Sequence, residues 1–99
     1  MPVYTIAQLK FTNVEAYRRY QKAFPAVFAN FNAKVLVADE QPRVLEGDWP
    51  RDKVVILEFP DEAEARRFGS SPEYQAISKD RKAGADAVVL MVKGFAPKG

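Results

Sequence analysis

Two charged residues stand among apolar neighbours and could carry chemistry. Glu58 lies in the apolar run KVVILEF, residues 53 to 59, where a carboxylate must be paired, hydrogen-bonded or shifted in its protonation. Arg81 follows Tyr74 and Ile77 at helical spacing, so its guanidinium would share an inward-facing stripe with them. Such a carboxylate could act as an acid or a base, and such an arginine could hold an anion. Glu58 and Arg81 are therefore the candidate catalytic residues.

Each of these residues also has a purely structural interpretation. Glu58 could pair with a lysine or an arginine, or with Gln8, and have no other role. Arg81 could pair with an acid, or extend its long side chain from an apolar surface to water. Tyr74, on the same stripe as Arg81, is typical of a core residue.

Four further residues are candidate ligand contacts, namely Tyr4, Gln8, Trp49 and Tyr74. Trp49 is the only tryptophan and lies in the turn GDWP. Because Pro50 restricts the residue before it to an extended conformation, the indole is held on the loop with few choices of orientation. The indole would either cover a pocket or seal the rim of a subunit interface.

The residue types that are missing exclude several kinds of site. The sequence has no cysteine and no histidine, so it offers no disulfide, no thiol nucleophile and no imidazole base. Zinc, copper and haem sites depend on those side chains. We therefore predict no metal site and no cofactor.

The composition is that of one small globular domain spanning residues 1–99. Hydrophobic residues make up 47% and charged residues 28% of the 99 residues, a normal balance for a chain with a single core. The net charge of +2 is distributed along the chain among acids, which argues against a nucleic-acid partner.

The N-terminal MPVYTIAQLK resembles no signal peptide and no apolar run reaches about 20 residues, so we expect no membrane association and a cytoplasmic location.

The first half of the chain is predicted to form a strand, a helix and a second strand. VYTIAQLKF, residues 3 to 11, is rich in β-branched and aromatic residues. Thr12 or Asn13 can cap a helix after it. Pro25 predicts a kink or a restart in that helix. A bent strand follows over residues 33–47, and it should pair with residues 53–60 as a long hairpin.

The second half is predicted to form a two-part helix and a last strand. Asp61 can cap a helix that GSSP interrupts, and Ser71 followed by Pro72 can restart it. Gly84 is a candidate left-handed cap at its end, before the strand DAVVLMVKGF. The order β-α-β-β-α-β predicts an α+β, ferredoxin-like fold, in which a four-stranded antiparallel sheet carries two helices on one face.

Both faces of this sheet are predicted to be apolar. In KVVILEF and AVVLMVK neither set of alternating residues is polar throughout. Two helices can cover only one face, and the other would leave a large apolar patch. We therefore predict a homodimer in which two sheets pack around a two-fold axis. In the first strand the smaller alternating set, Val3, Thr5, Ala7 and Leu9, suits close packing against the helices, so the set with Tyr4 and Gln8 should face the dimer interior.

The chain also resembles the domain of unknown function family DUF1330. The segments that carry the resemblance are LEGDWP, VVILEFP, SPEYQ and Arg81, together with EAYRRYQKAFPA and the two terminal strands. The resemblance implies a dimeric α+β barrel and no established reaction. Relatives usually have a Tyr-Gly-Gly turn before the second strand, where this chain has Phe31, Asn32 and Ala33. Other dimeric α+β barrels include cofactor-free monooxygenases, isomerising and dehalogenating enzymes and ligand-sensing domains, which is an analogy of fold.

The main functional prediction is a homodimer with a pocket for a small anionic or aromatic metabolite. One alternative is a cofactor-independent monooxygenase or isomerase in which Glu58 transfers a proton and Arg81 stabilises an anionic intermediate. A second alternative is a structural or stress-related dimer without a ligand.

Overall fold

The computed structural model describes residues 1–95 and contains seven regular elements in this part of the chain. In chain order they are β1 (Val3–Phe11), α1 (Val14–Phe28), β2 (Lys34–Asp39), β3 (Lys53–Phe59), α2 (Glu62–Gly69), α3 (Pro72–Gly84) and β4 (Ala85–Lys93). The second helical region is divided into α2 and α3 at the GSSP segment, as predicted. Residues 96–99 of the predicted domain lie outside the described residues.

The four strands form one antiparallel sheet in the order β2-β3-β1-β4. Ile6 at the centre of β1 lies opposite Ile56 of β3 and Leu90 of β4, so these side chains line up across one face. This strand order, with the helices on one face of the sheet, is the predicted ferredoxin-like α+β fold.

Each helix begins at a residue whose side chain caps the first turn. The caps are Asn13, Asp61 and Ser71, and each accepts a hydrogen bond from the backbone N–H three residues later, at 2.8 to 3.2 Å. Such bonds satisfy amides that have no partner inside the helix. Of the two predicted caps for α1, the structure uses Asn13 rather than Thr12.

α1 continues through Pro25, where a kink or a restart was predicted. The proline lies in the last turn, so few residues follow it and only one amide is removed from the helix. The carbonyl of Pro25 accepts a hydrogen bond from the N–H of Ala29 at 3.0 Å. The helix ends three residues after the proline, at Phe28.

β2 ends at Asp39, well before the end of the strand predicted over residues 33–47. The Asp39 carboxylate accepts a hydrogen bond from the N–H of Gln41 at 2.8 Å, which turns the chain away from the sheet. Pro42 then has no N–H with which to continue the pairing. Residues 40–52 consequently form a loop, and the hairpin with β3 is shorter than predicted.

The helices cover the face of the sheet formed by the odd-numbered residues of β1 and β3. Val3, Leu9, Leu57 and Phe59 are buried there against aromatic residues of the helices, such as Phe68. The prediction that Val3 and Leu9 face the helices, and that Tyr4 and Gln8 point the other way, is confirmed.

No helix formed by residues 1–95 covers the opposite face of the sheet, and we call it the open face. Strands β1, β3 and β4 contribute Tyr4, Ile6, Gln8, Val54, Ile56, Glu58, Val88, Leu90 and Val92 to it, and β2 adds Lys34, Val37 and Asp39 at one edge. The edge strand β4 is the most accessible part, and Leu90 is 47% exposed. The open face of a single protomer is thus a largely apolar surface.

Gly84 is not the left-handed cap that the sequence predicted. Within residues 1–95 the only positive φ belongs to Gly47, at 85°, in the loop before β3. After Gly84 the chain passes directly into β4, with Ala85 already in an extended conformation.

None of the helices formed by residues 1–95 is long and apolar enough to cross a membrane.

Candidate functional site

A cavity of about 470 Å³ lies between the sheet and the helices. Its floor is formed by helix-facing side chains of the sheet, including Thr5, Ala7 and Val55. Aromatic side chains of the helices form much of the opposite wall. Cavities of this volume are typical of sites for small molecules.

The small residues of β1 explain why the space is open. Val3 and Leu9 fill the core at the two ends of the strand, whereas Thr5 and Ala7 lie between them on the same face. The sequence predicted that these small residues would let the helices pack closely. In the structure they instead line the cavity.

Two hydrogen-bonded tyrosines and an arginine are among the polar residues that line this cavity. The hydroxyls of Tyr20 and Tyr74 lie 3.3 Å apart and share a hydrogen bond. Burial raises the pKa of Tyr20, and Tyr74 raises it further, whereas the positive charge of Arg81 acts in the opposite direction. Tyr20 therefore remains a protonated hydroxyl that can donate a hydrogen bond.

The Arg81 side chain is partly buried, and its Nε lacks a partner in the described part of the chain. Its Nε is shielded from solvent and makes no hydrogen bond with any residue between 1 and 95. Arg81 also forms no salt bridge within those residues. A buried donor without an acceptor is costly, so this atom is available to a bound group.

A second cation lines the cavity, but its charge is compensated. Lys53 is only 3% exposed, and its Nζ lies 3.4 Å from the Glu40 carboxylate and 4.8 Å from the centre of the Tyr17 ring. Glu40 also accepts a hydrogen bond from Arg18 at 2.8 Å. The hydrogen bond from Arg18, with help from Lys53, lowers the pKa of Glu40 to about 2.

The structure places two of the sequence-predicted site residues, Arg81 and Tyr74, together in the cavity. The other four lie on the side of the open face. Tyr4 and Glu58 are opposite each other across β1 and β3, and a hydrogen bond to Glu58 raises the pKa of Tyr4. Trp49 donates from its indole Nε1 to Oε1 of Gln8 at 3.0 Å.

The two predicted catalytic residues, Glu58 and Arg81, lie on different sides of the sheet. Glu58 is in register with Tyr4 on the open face, whereas Arg81 reaches the cavity on the helix side. The sheet separates the two side chains because successive residues of a strand point to opposite faces.

Tyr20 and Lys53 also line the cavity but were not predicted from the sequence. Tyr20 lies three residues after Tyr17 and four before Phe24, a spacing that places it on the inward stripe of α1. Lys53 shares its side of β3 with Val55 and Leu57, so the alternation of the strand could have identified it as inward-facing. Among residues 1–95, no cluster of acidic side chains could hold a metal ion.

Known structures share this fold along nearly the whole chain. A protein of unknown function from Rhodopseudomonas palustris has a TM-score of 0.81 at 24% identity, covering 97% of this chain and 84% of that one. SnoaB, a cofactor-independent oxygenase from Streptomyces nogalater, has a TM-score of 0.68 at 15% identity, with coverages of 97% and 95%. A dimeric ferredoxin-like protein of unknown function from Thermobifida fusca has a TM-score of 0.66 at 16% identity, with coverages of 92% and 89%.

No curated protein matches the sequence. The model of one protein family matches residues 2–95, which is most of the chain, and the strand order, helix positions and terminal strands described above fall within that match. The chain therefore belongs to the family described as Domain of unknown function (DUF1330).

Proposed function

We propose that this protein is a homodimer in which each protomer binds a small anionic or aromatic metabolite in the cavity between its sheet and its helices. The observation that carries the proposal is the Nε of Arg81, a buried donor without a partner among residues 1–95, beside a cavity of about 470 Å³. A cavity with apolar walls and a few convergent polar groups is the usual form of a small-molecule site.

The open face supports the homodimer. Ile6, Ile56 and Leu90 form an apolar row across three strands, with no helix over it. Contiguous apolar surface of this kind is uncommon on monomers, and a second copy presents the same surface around a two-fold axis. The fold relative from Thermobifida fusca is described as dimeric. In such a dimer Tyr4, Gln8, Trp49 and Glu58 would lie at or near the interface.

Two neighbouring residues of β4 test the dimer. Leu90 and Met91 are 47% and 46% exposed but point to opposite faces of the sheet. Light scattering coupled to size exclusion should give twice the chain mass of 11.1 kDa for the wild type. Leu90→Lys should reduce the mass to that of one chain, and Met91→Lys should not. A monomeric wild type would refute the dimer.

A cavity-filling substitution tests the binding site. Ala7→Leu would occupy space at the floor of the cavity, whereas Ala63→Leu adds the same atoms on the exposed surface of α2. In a thermal-shift screen of aromatic acids, lactones and quinones, some compounds should raise the melting temperature of the wild type and of Ala63→Leu but not of Ala7→Leu. A screen without any hit would favour the structural or stress-related dimer.

Catalysis is the second candidate function. SnoaB shares the fold and is a cofactor-independent oxygenase, which supports testing hits from the screen for oxygen consumption and for isomerisation. Any reaction in the cavity would use polar groups that line it, among them Tyr20, Tyr74 and Arg81. Turnover should then be lost in Arg81→Gln and retained in Glu58→Gln, and the reverse result would place the reaction on the open face.

A further inference from the structure

We propose that the ligand of the cavity is an aromatic monocarboxylate whose acid group binds between Arg81 and the hydroxyl pair of Tyr20 and Tyr74. This inference rests on the proposed function, because it names the class of metabolite that the cavity would bind. It adds the charge of the ligand, the polar groups that contact it and the nature of its body.

The hydrogen-bonding capacity of Arg81, Tyr20 and Tyr74 favours a ligand that accepts hydrogen bonds and donates none. Tyr20 and Tyr74 each carry one O–H, and the single bond between them at 3.3 Å uses one of the two protons. Within residues 1–95 the bond between the two hydroxyls is the only side-chain hydrogen bond that either of them makes, which leaves one O–H free to donate. The Nε–H of Arg81 has no acceptor among these residues. A carboxylate accepts up to four hydrogen bonds and donates none, so it matches this excess of donors.

The charge of the cavity favours one negative charge on the ligand. Its lining within the described residues includes the cations Lys53 and Arg81 and no aspartate or glutamate. Glu40 already pairs with Lys53, so only Arg81 is uncompensated. A carboxylate carries one negative charge, whereas a phosphate monoester carries about 1.5 to 2 at neutral pH. Arginine also presents a planar fork that suits a carboxylate.

The remaining walls favour an aromatic body. Phe24, Phe68 and Tyr74 line the helix side, and the Phe68 and Tyr74 rings lie 4.4 Å apart, centre to centre. Ala7 and Val55 provide an aliphatic floor across from these rings. A flat apolar ring system fits between such layers and can stack on or meet the ring edges.

Three probes that share one ring system separate the possible ligand charges. Calorimetric titration of the full chain would use 2-naphthoate, the neutral 2-naphthamide and 2-naphthyl phosphate. We expect 2-naphthoate to bind at least ten times more tightly than either of the other two. Equal or tighter binding of the amide or of the phosphate would overturn the carboxylate assignment and leave the proposed binding function intact.

Variants then test the residues that should contact the acid group. Arg81→Gln should abolish the preference for 2-naphthoate over 2-naphthamide, and Lys82→Gln, which removes an exposed charge from the next position of α3, should retain it. The double variant Tyr20→Phe, Tyr74→Phe should weaken 2-naphthoate about tenfold and leave 2-naphthamide within about threefold.

Arg81→Lys is a second variant at the critical position, since it keeps the charge but lacks the Nε donor. It should bind 2-naphthoate more weakly than the wild type, with an unchanged circular dichroism spectrum. Retention of the preference for the acid in both Arg81 variants would overturn the role of Arg81. Binding of none of the three probes, together with an empty thermal-shift screen, would refute the proposed function itself.

Discussion

The main chain of Gly84 lies directly against that of Tyr17, with no room between them for a β carbon. An added β carbon would collide with the backbone nitrogen of Tyr17 and would lie 2.8 Å from the carbonyl oxygen of Asn13. The carbonyl of Gly84 in turn accepts hydrogen bonds from the N–H groups of Thr12 and Asn13, at 2.9 and 3.1 Å. This contact fixes the end of α3 against the start of α1, the two helices that carry Arg81 and Tyr20.

Gly84→Ala should therefore destabilise the fold. The clash involves backbone atoms, which cannot move aside as a flexible side chain could, so we expect a loss of about 2 kcal/mol in the free energy of unfolding. Gly69→Ala is the matched control, because a β carbon at Gly69 would meet no atom within 4 Å. Urea unfolding should show Gly69→Ala unchanged or slightly stabilised. Equal stability of the two variants would contradict the close contact.

The pairing of Glu40 with the buried Lys53 should also contribute to stability. Glu40→Gln would leave the ammonium of Lys53 without its acidic partner in a site that is 3% exposed. Because Glu40 itself is partly accessible to water, we expect a loss of about 1 to 2 kcal/mol, less than for a fully buried pair. Glu62→Gln, which breaks the exposed pair with Arg66, should cost less than about 0.5 kcal/mol in the same urea experiment.

The same carboxylate predicts a pH dependence. The pKa of Glu40 is about 2 in the folded chain and 4.5 for a carboxyl group without partners. The ionised form therefore stabilises the fold above about pH 4.5. This contribution is lost as the pH falls from 4.5 towards 2, because protonation is then favoured in the unfolded chain first. The stability difference between the wild type and Glu40→Gln should shrink over this window. Glu64, whose pKa is also about 2, is present in both proteins and cancels. A constant difference would contradict the pairing.

The periodicity of the sequence was sufficient to predict the fold and the two faces of the sheet. Alternation in β1 separated Val3 and Leu9 from Tyr4 and Gln8, and each set lies on the predicted side. Arg81 and Tyr74 were placed on one inward stripe of a helix for the same reason, and both reach the cavity. These predictions succeeded because they depend on local geometry.

Features that depend on contacts between distant segments were not predicted. Glu58 and Arg81 were both predicted to lie among apolar residues. That the sheet separates them is known only from the register, which pairs Glu58 with Tyr4. The small size of Thr5 and Ala7 did not reveal whether the helices would close over them or leave a cavity. Gly84 was interpreted as a local cap. A glycine is needed there because the backbone of Tyr17, which is distant in the sequence, leaves no room for a β carbon.

The fluorescence of Trp49 tests whether the open face of the sheet forms the subunit interface. Its indole Nε1 donates to the side chain of Gln8, which points to the open face, and the indole is partly buried. If the open faces pack together, dissociation on dilution should expose the only tryptophan to water and shift its emission maximum to longer wavelength. Leu90→Lys should show the shifted spectrum at all concentrations, and Ala7→Leu, which changes only the cavity, should show the wild-type spectrum. A shift in Ala7→Leu with none in Leu90→Lys would instead place the indole beside the cavity and away from the subunit interface.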